Sequence, residues 1–584
     1  VSILDSKHDE STVYRSIGNA QIDYKFHFLP ELRANLNLGY DVSKSEGDVI
    51  IEDNAPMTWC QGNYKTGFGE NSSYYQLKRN TLLDFYLNYA KEFGAHHVDV
   101  MGGYSWQHFY NSTWTKYPYS TVKAEETGKE FYKDMEDYST ENYLVSFFGR
   151  LNYTLLNRYL VTFTLRNDGS SRFNKDNRWG LFPSVALAWK MKEENFLKGV
   201  DWLSDLKLRL GYGITGQQNL NNGDYPYMAR YMYSKAGANY YFGNNKYSLI
   251  APQAYDENLK WEETTTYNIG LDFGVLNNKL TGTLDLYYRK TDDLLNTVTA
   301  PAGTNFSNQL LTNVGTLENK GIELTLTAHP ITTKDWDWTL SYNISYNKNE
   351  ITSMEVQATT ASSLAGTSFQ TGYPTSALFS YRYAGLDQTG ETTELGQPTW
   401  YTEDGSKVGT TIMSEDISAL VYSGQTDPKV NVALDNTLRY KGFNLNFMMV
   451  YYGGHKMRAR EYLQISALPY GAATDYLLNS WTPENTDTDV PGFGQYGPKN
   501  NSNVSHQYSD LFVRPADFIK IRNITFGYSV PESLTRQIGM ENLRLTFQID
   551  NIPALWKKNN VGIDPETLGI RNRMKYIIGL NFNF

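Results

Sequence analysis

Along much of this chain, apolar and polar side chains alternate one by one. In "FFGRLNYTLLNRYLVTFTLRNDGSSRF" (147–173), Phe147, Gly149, Leu151 and Tyr153 share one face of the first run, and Phe148, Arg150, Asn152 and Thr154 the other. After Leu155-Leu156-Asn157, residues Tyr159, Val161, Phe163 and Leu165 alternate with Thr162, Thr164 and Arg166. A period of two over this length predicts two strands joined as a hairpin. Each run is about ten residues, enough to cross a bilayer when tilted. The same alternation recurs over Leu206–Thr215, Trp336–Tyr346 and Tyr576–Phe584. In "DFIKIRNITFGYSV" the apolar parity moves from Ile519 and Ile521 to Ile524, Phe526 and Tyr528, which places a β-bulge near Arg522-Asn523.

Over the whole chain the rule gives about 17 strand-like runs, and their connections fall into two classes. Tight joints lie at Leu29–Glu31, Glu92–Ala95, Leu155–Asn157, Val275–Asn278 and Lys441–Gly442, with somewhat longer ones at Lys192–Ser204, Pro330–Asp335 and Pro531–Glu541. Between them come Ser45–Ser72, Asn111–Thr140, Gln217–Lys260, Leu294–Thr312, Ile351–Lys429, Met457–Pro515 and Ile552–Arg573; only the connection after Asp168 is modest. In an up-and-down antiparallel meander, alternate connections lie at opposite ends. Short turns on one rim and long loops on the other is the pattern of outer-membrane barrels, with the long loops extracellular. A β-sandwich or propeller has no reason to keep this parity. The apolar face of each hairpin then meets lipid, and the face carrying charges and amides lines a wet lumen.

The final strand runs toward the short-turn rim, and by the same alternation the first, near Thr12–Phe28, runs the same way. An odd count with parallel terminal strands does not close a wholly antiparallel barrel, and a bilayer tolerates no open sheet edge. The expectation is that residues 1–584 are the C-terminal part of a larger all-β transmembrane barrel.

Composition agrees with a barrel and excludes other classes. The chain has 584 residues, 40% of them hydrophobic, with a mean hydropathy of −0.52. No run of about 18 apolar residues predicts a helical span, which leaves a strand-built membrane protein open. Forty-six Tyr, 27 Phe and 12 Trp supply the aromatic side chains that gather at membrane interfaces. The single Cys60 excludes an intrachain disulfide framework and a multi-Cys metal cluster. A net charge of −10 speaks against nucleic acid as a partner.

Several stretches together resemble the SusC/RagA family of TonB-dependent outer-membrane transporters. They are the opening hairpin with "NRWGLFPSVALAWKM", then "LKLRLGYGITGQQN", "TTTYNIGLDFGVLNNKLTGTLDLYYRKTDDLL" and "NVGTLENKGIELTLT", followed by "VYYGGHKMRARE", "FIKIRNITFGYSVP" and "IDNIPALWKKNNVGIDPE". The resemblance covers nearly everything from Asn142 onward; Gln217 departs from it, standing where the family commonly has Asn. It implies a barrel of about 22 strands, closed by an N-terminal plug and preceded by a TonB-contacting segment. On that reading about five strands, the plug and the TonB box are missing from this stretch. The resemblance further implies a SusD-like surface lipoprotein over the extracellular loops, a dimer of such pairs, and active uptake of oligosaccharides or peptides. The alternative classes are an outer-membrane barrel hydrolase and a structural or adhesive barrel. A hydrolase needs a nucleophile, base and orienter converging on the rim, and eight scattered His with no Gly-x-Ser-x-Gly give no such signal. No cofactor is called for.

Candidate binding residues lie in the long loops. "YPYMARYMYSKAGANYYF" (Tyr225–Phe242) puts Tyr225, Tyr227, Arg230, Tyr231, Tyr233, Tyr240, Tyr241 and Phe242 where lipid does not explain the rings. They would stack on sugar faces or pack against a plug or capping lipoprotein. With Ser362–Tyr383, which includes Tyr373, and Tyr462–Gln495, this segment is expected to form the mouth. His455 of "GGHK" invites a metal reading, but a lone His is weak evidence and a polar rim residue is the simpler account. His96 and His97 point to opposite faces of a strand and cannot chelate together. "DGSSRF" (Asp168–Phe173) would contact ligand or simply turn the chain. "SWTPENTDTDVPGFG" (Ser480–Gly494) lacks regular EF-hand spacing for Ca²⁺ and reads as a solvated loop.

Overall fold

A computed structural model describes residues 6–59, 69–118, 132–219, 224–233, 239–242, 245–248, 250–299, 309–355, 357–358, 360–367, 369–409, 417–459, 478–492, 508–559, 561–568 and 571–584. Alternation becomes long antiparallel strands: β1 (Lys7–Lys25), β2 (Leu32–Ile51), β3 (Glu70–Phe93), β4 (His96–Pro118), β5 (Tyr132–Leu155), β6 (Tyr159–Ser170), β7 (Trp179–Lys190) and β8 (Leu203–Gln217). There follow β9 (Glu262–Val275), β10 (Leu280–Asp292), β11 (Gly315–Thr332), β12 (Trp336–Met354), β13 (Val430–Tyr440), β14 (Phe443–Gly453), β15 (Phe518–Ser529), β16 (Asn542–Asp550) and β17 (Lys575–Asn583). The large sheet has 18 assigned strands, of which Ala554–Lys557 continues β16 beyond a short break, so the expected count of about 17 is met. Two compact units result. One comprises Val1–Leu187, Tyr212–Thr264 and Asp293–Asn313; the other comprises Ala188–Gly211, Thr265–Asp292 and Val314–Phe584.

In the first unit β1 to β6 pair in sequence order. The opening hairpin closes at Leu156-Asn157, both at positive φ, with the Arg158 N–H donating to the Leu155 carbonyl at 3.0 Å. Two left-handed residues give a turn whose twist matches the strands it joins. Phe147, Leu151, Tyr159, Phe163 and Leu165 are exposed, the outcome expected of a face that meets lipid. Aromatic rings band this same face: Tyr104 packs on Phe147 at 5.4 Å, Phe147 on Trp179 at 6.1 Å, and His108 stacks on Tyr143 at 4.3 Å. The opposite face is polar and cross-linked. Ser105 donates to Asp84, Asn88 Nδ2 to Asp99 at 2.9 Å, and Arg15 forms a two-pronged pair with Asp41 at 2.9 and 2.8 Å.

The second unit repeats the plan from β10 through β17. Its polar face carries Arg209, whose guanidinium donates to Asp272 at 3.0 and 2.9 Å and to Asp285 at 3.2 Å. Gly270 lies beneath that guanidinium; a Cβ there would come within 2.6 Å of Cζ. The slip in "DFIKIRNITFGYSV" is a bulge at Arg522: Asn523 pairs with Met448 and Ile521 with Met449.

Two features depart from the sequence reading. The strands bounding Ser45–Ser72 and Asn111–Thr140 run farther than alternation indicates, since Ile51 still pairs with Glu70 and Pro118 with Tyr132. Beyond the lipid both faces meet water, so neither has to be apolar; the backbone ladder persists after the period-two signal fades. The span Ile351–Lys429, read as one loop, contains the helix Ala361–Thr367 and a four-stranded sheet. Its central strand Ala377–Leu386 pairs with Pro398–Tyr401 and with Leu420–Gln425. "ALFSY" at its start is buried on both sides and therefore shows no alternation.

Candidate functional site

The expected mouth segments are ordered where they are described. In the first unit the aromatic segment is split between two small hairpins. Tyr231 and Tyr233 pair with Pro252 and Ile250, and Tyr240, Tyr241 and Phe242 pair with Tyr247, Lys246 and Asn245. Tyr231 is 69% exposed, available to a partner or solute. Tyr225, at positive φ, meets Tyr227 edge-on at 6.4 Å. Tyr227 packs on a core of Phe173, Phe182, Leu259 and Trp261, so one ring of the segment has a packing role. The Arg230 carbonyl accepts from the Gln253 N–H at 2.8 Å, and its side chain is half-buried.

"DGSSRF" is more than a turn. Asp168 receives Arg166 at 2.7 Å, the Ser171 hydroxyl accepts from the Tyr143 N–H at 2.9 Å, and Phe173 is fully buried. Between them Arg172 points into a cleft of about 440 Å³. Its walls come from β3 (Lys78, Asn80), β4 (Phe109, Tyr110, Asn111), β5 (Thr140, Asn142) and the end of β8 with the chain after it (Gln217, Gln218, Asn219, Asp224). Arg172 Nε donates to Asp224 at 3.0 Å and its Nη1 to the Gln218 carbonyl at 3.2 Å; Asn142 Nδ2 donates to Asp224 at 3.1 Å. Asn142 and the Asp224 carboxylate are almost wholly buried. Sequence reading missed this cleft because its members are scattered along the chain from Lys78 to Asp224, and even the hydrogen-bonded pair Asn142 and Asp224 is 82 residues apart. The alternate polar positions of β3, β4 and β5 were the available signal, but without register they could not be aligned.

In the second unit Tyr373 packs on Phe379 and Tyr422, each at 5.0 Å, beside a core of Leu364, Tyr381 and fully buried Trp400. This folded loop is fastened by Arg458, which donates to the Phe379 carbonyl at 2.8 Å and the Ser509 carbonyl at 3.1 Å. His455 is buried, with Nδ1 3.9 Å from Asp517 and its ring edge-on to Phe518. Burial lowers its pKa, outweighing the opposite pull of Asp517 and Asp427, so the imidazole is neutral at physiological pH. Among the described residues no group of three His, Cys, Asp or Glu is placed to hold a metal ion. His96 Nδ1 meets the Tyr153 hydroxyl at 2.7 Å, while His97 faces Glu92 at 3.7 Å. Of Ser480–Gly494, Trp481 covers Gly396 and donates to the Gln388 side chain at 2.8 Å; Phe493 and Gly494 lie outside the described residues. Much of Tyr462–Gln495 likewise lies outside them.

An antiparallel wall with one exposed, aromatic-banded face and one ion-paired face defines an outer-membrane β-barrel. The family described as "TonB dependent receptor-like, beta-barrel" matches residues 4–552, and the chain belongs to it, within the SusC/RagA group. It is 38% identical to the TonB-dependent receptor SusC of Bacteroides thetaiotaomicron over all of this chain and 57% of that protein. It is 31% identical to TonB-dependent receptor P3 of Formosa agariphila, over 85% of this chain and 50% of that one. The chain therefore spans about half the length of the curated relatives it matches. Among solved structures, the RagAB peptide transporter superposes over all of this chain and 63% of its own, with a TM-score of 0.82 at 24% identity. The RagAB importer in its open-open state gives 0.78 at 23% identity, over all of this chain and 62% of that one. The protein is thus an outer-membrane β-barrel, whose exposed face meets lipid and whose ion-paired face lines the lumen.

Proposed function

We propose that this chain is the C-terminal wall and mouth of an energised nutrient importer. The observation that carries this reading is its likeness to SusC over the whole of this chain, combined with long-rim loops that fold into packed structure. A plain pore does not need such loops; a transporter that captures a solute and docks a cap does. A SusD-like lipoprotein covers the mouth, in a dimer of such pairs. TonB acts through a segment upstream of the barrel in the complete protein. The cargo is an oligosaccharide or a peptide, and no step is enzymatic. Exposed Tyr231 supports an interface or stacking role for its segment, since tyrosine offers large rigid contact area at small entropic cost.

The test deletes Tyr225–Phe242 in the complete transporter. After normal barrel assembly is verified, lipoprotein co-purification and TonB-dependent uptake are measured separately. Loss of uptake with docking intact assigns the segment to the solute, and loss of both assigns it to the interface. Unchanged docking and uptake remove the segment from the mouth. TonB-independent uptake by the unaltered transporter overturns the importer reading itself.

A further inference from the structure

The cleft around Arg172 has a chemistry that the importer reading leaves undecided. Six of its twelve lining residues are amides: Asn80, Asn111, Asn142, Gln217, Gln218 and Asn219. Its one carboxylate, Asp224, is already met by Arg172 and by Asn142. Two lining oxygens, Asn111 Oδ1 and Gln218 Oε1, are buried without a hydrogen-bond donor among the described residues. A buried acceptor left without a donor is costly, so the cleft favours a ligand that brings donors. Phe109 adds a ring to an otherwise polar wall. The volume lies within the range of small-ligand sites.

We propose that this cleft is a binding subsite for a neutral, hydroxyl-rich segment of a glycan. A hydroxyl both donates and accepts, so neighbouring hydroxyls satisfy a row of side-chain amides in either orientation. A ring face of the same molecule packs against Phe109. A peptide fits less well: its side chains vary in charge and bulk, whereas half of this wall is amides and its one Asp is already met by Arg172 and Asn142. A carboxylate-bearing ligand would instead be drawn to Lys78, at the same wall. The subsite rests on the importer reading and narrows its cargo to glycan.

The experiment uses the complete transporter in detergent, with a panel of neutral hexose oligosaccharides and a panel of short peptides as probes. Calorimetric titration is run at low and high salt on the unaltered protein, Asn111→Ala, Gln218→Ala and Asn80→Ala. Each variant is first checked for heat-modifiable migration, the mark of an assembled barrel. A neutral oligosaccharide is expected to bind with an affinity insensitive to salt. Asn111→Ala and Gln218→Ala should each weaken it about five- to tenfold, the equivalent of one hydrogen bond. If either variant fails to assemble, Asn80→Ala on the same wall must show the loss. Binding of peptides alone, of no glycan in the panel, or of a glycan with equal affinity to every assembled amide variant overturns the subsite. TonB-dependent uptake is followed in parallel. Uptake that persists without amide dependence sinks the subsite and spares the importer reading, whereas glycan binding without any uptake does the reverse.

Discussion

The ring of Tyr287 lies over Gly321, its partner directly across the sheet: a Cβ on Gly321 would stand 2.4 Å from the ring and 2.7 Å from the Tyr346 carbonyl oxygen. The Tyr287 hydroxyl reaches on to Asn347 Oδ1 at 3.2 Å. Tyr40 covers Gly18 in the same way, again between facing residues of neighbouring strands. Glycine weakens a strand by leaving nothing to pack; a ring laid across it from the neighbouring strand fills the gap and fixes register.

Gly321→Val should therefore destabilise the barrel by about 1–3 kcal/mol through overpacking. Urea unfolding in vesicles measures it. Tyr287→Ala in the same chain should recover part of the loss, because it vacates the space the new side chain needs. Additive costs would mean that the ring and the glycine are not coupled.

Leu545 faces Tyr528 and Leu580 on the exposed face of β16 and is 44% exposed. Leu545→Arg should cost about 2–4 kcal/mol if the site lies near the bilayer midplane. Arg544, one residue away, projects to the wet face, so Arg544→Leu should cost about 0.5 kcal/mol or less. Equal costs in the same unfolding assay would contradict the assignment of faces.

Trp400 is fully buried in the loop core between Tyr381 and Tyr383. Trp400→Ala should lower the stability of this folded loop by about 3–5 kcal/mol. Hydrogen exchange should rise over residues 361–425 and stay unchanged in β10 to β12. Exchange that rises equally in those strands would show the loop and wall to fold as one.

Asp387 gives the loop a pH limit. Burial alone would raise its pKa, but backbone N–H groups of Thr389, Thr393, Gly390 and Thr392 all donate to the carboxylate and hold it far below the usual range. A carboxylate depressed on folding adds stability above its unfolded pKa, about 3.9, and loses it as the pH falls toward the folded value. Proteolysis within residues 387–397 should thus be flat from neutral pH to about pH 5 and increase below it. Asp387→Asn should be less protected at neutral pH and lack this acid-dependent change.

Most of the wall was legible in the sequence because lipid imposes a one-sided demand. Phe147, Leu151 and Phe163 had to be apolar, their neighbours did not, and the bulge at Arg522 was visible as a slip in that rule. Where the demand ends, the signal ends too. The upper parts of β2 to β5 continue on the backbone ladder, which leaves no period-two signal in the side chains. Ala377–Leu386 is covered on both sides, so it carries no period. The candidate rings of Tyr225–Phe242 were found by composition, which says nothing of Tyr227 turning to a core. The cleft depends on register across β3, β4 and β5, which no single strand encodes.

Strands β3 and β5 are 24 residues long, whereas about ten tilted residues cross the hydrocarbon. Along the membrane normal the surplus is roughly 35 Å of ladder standing in water. Membrane insertion places no hydropathy demand on those residues, because they never enter the bilayer. Their side chains are free to drift or be redesigned on either face while the belt below remains fixed. Two barrels with the same membrane belt can therefore present unrelated mouths, and a change of diet requires no change in how the protein is inserted.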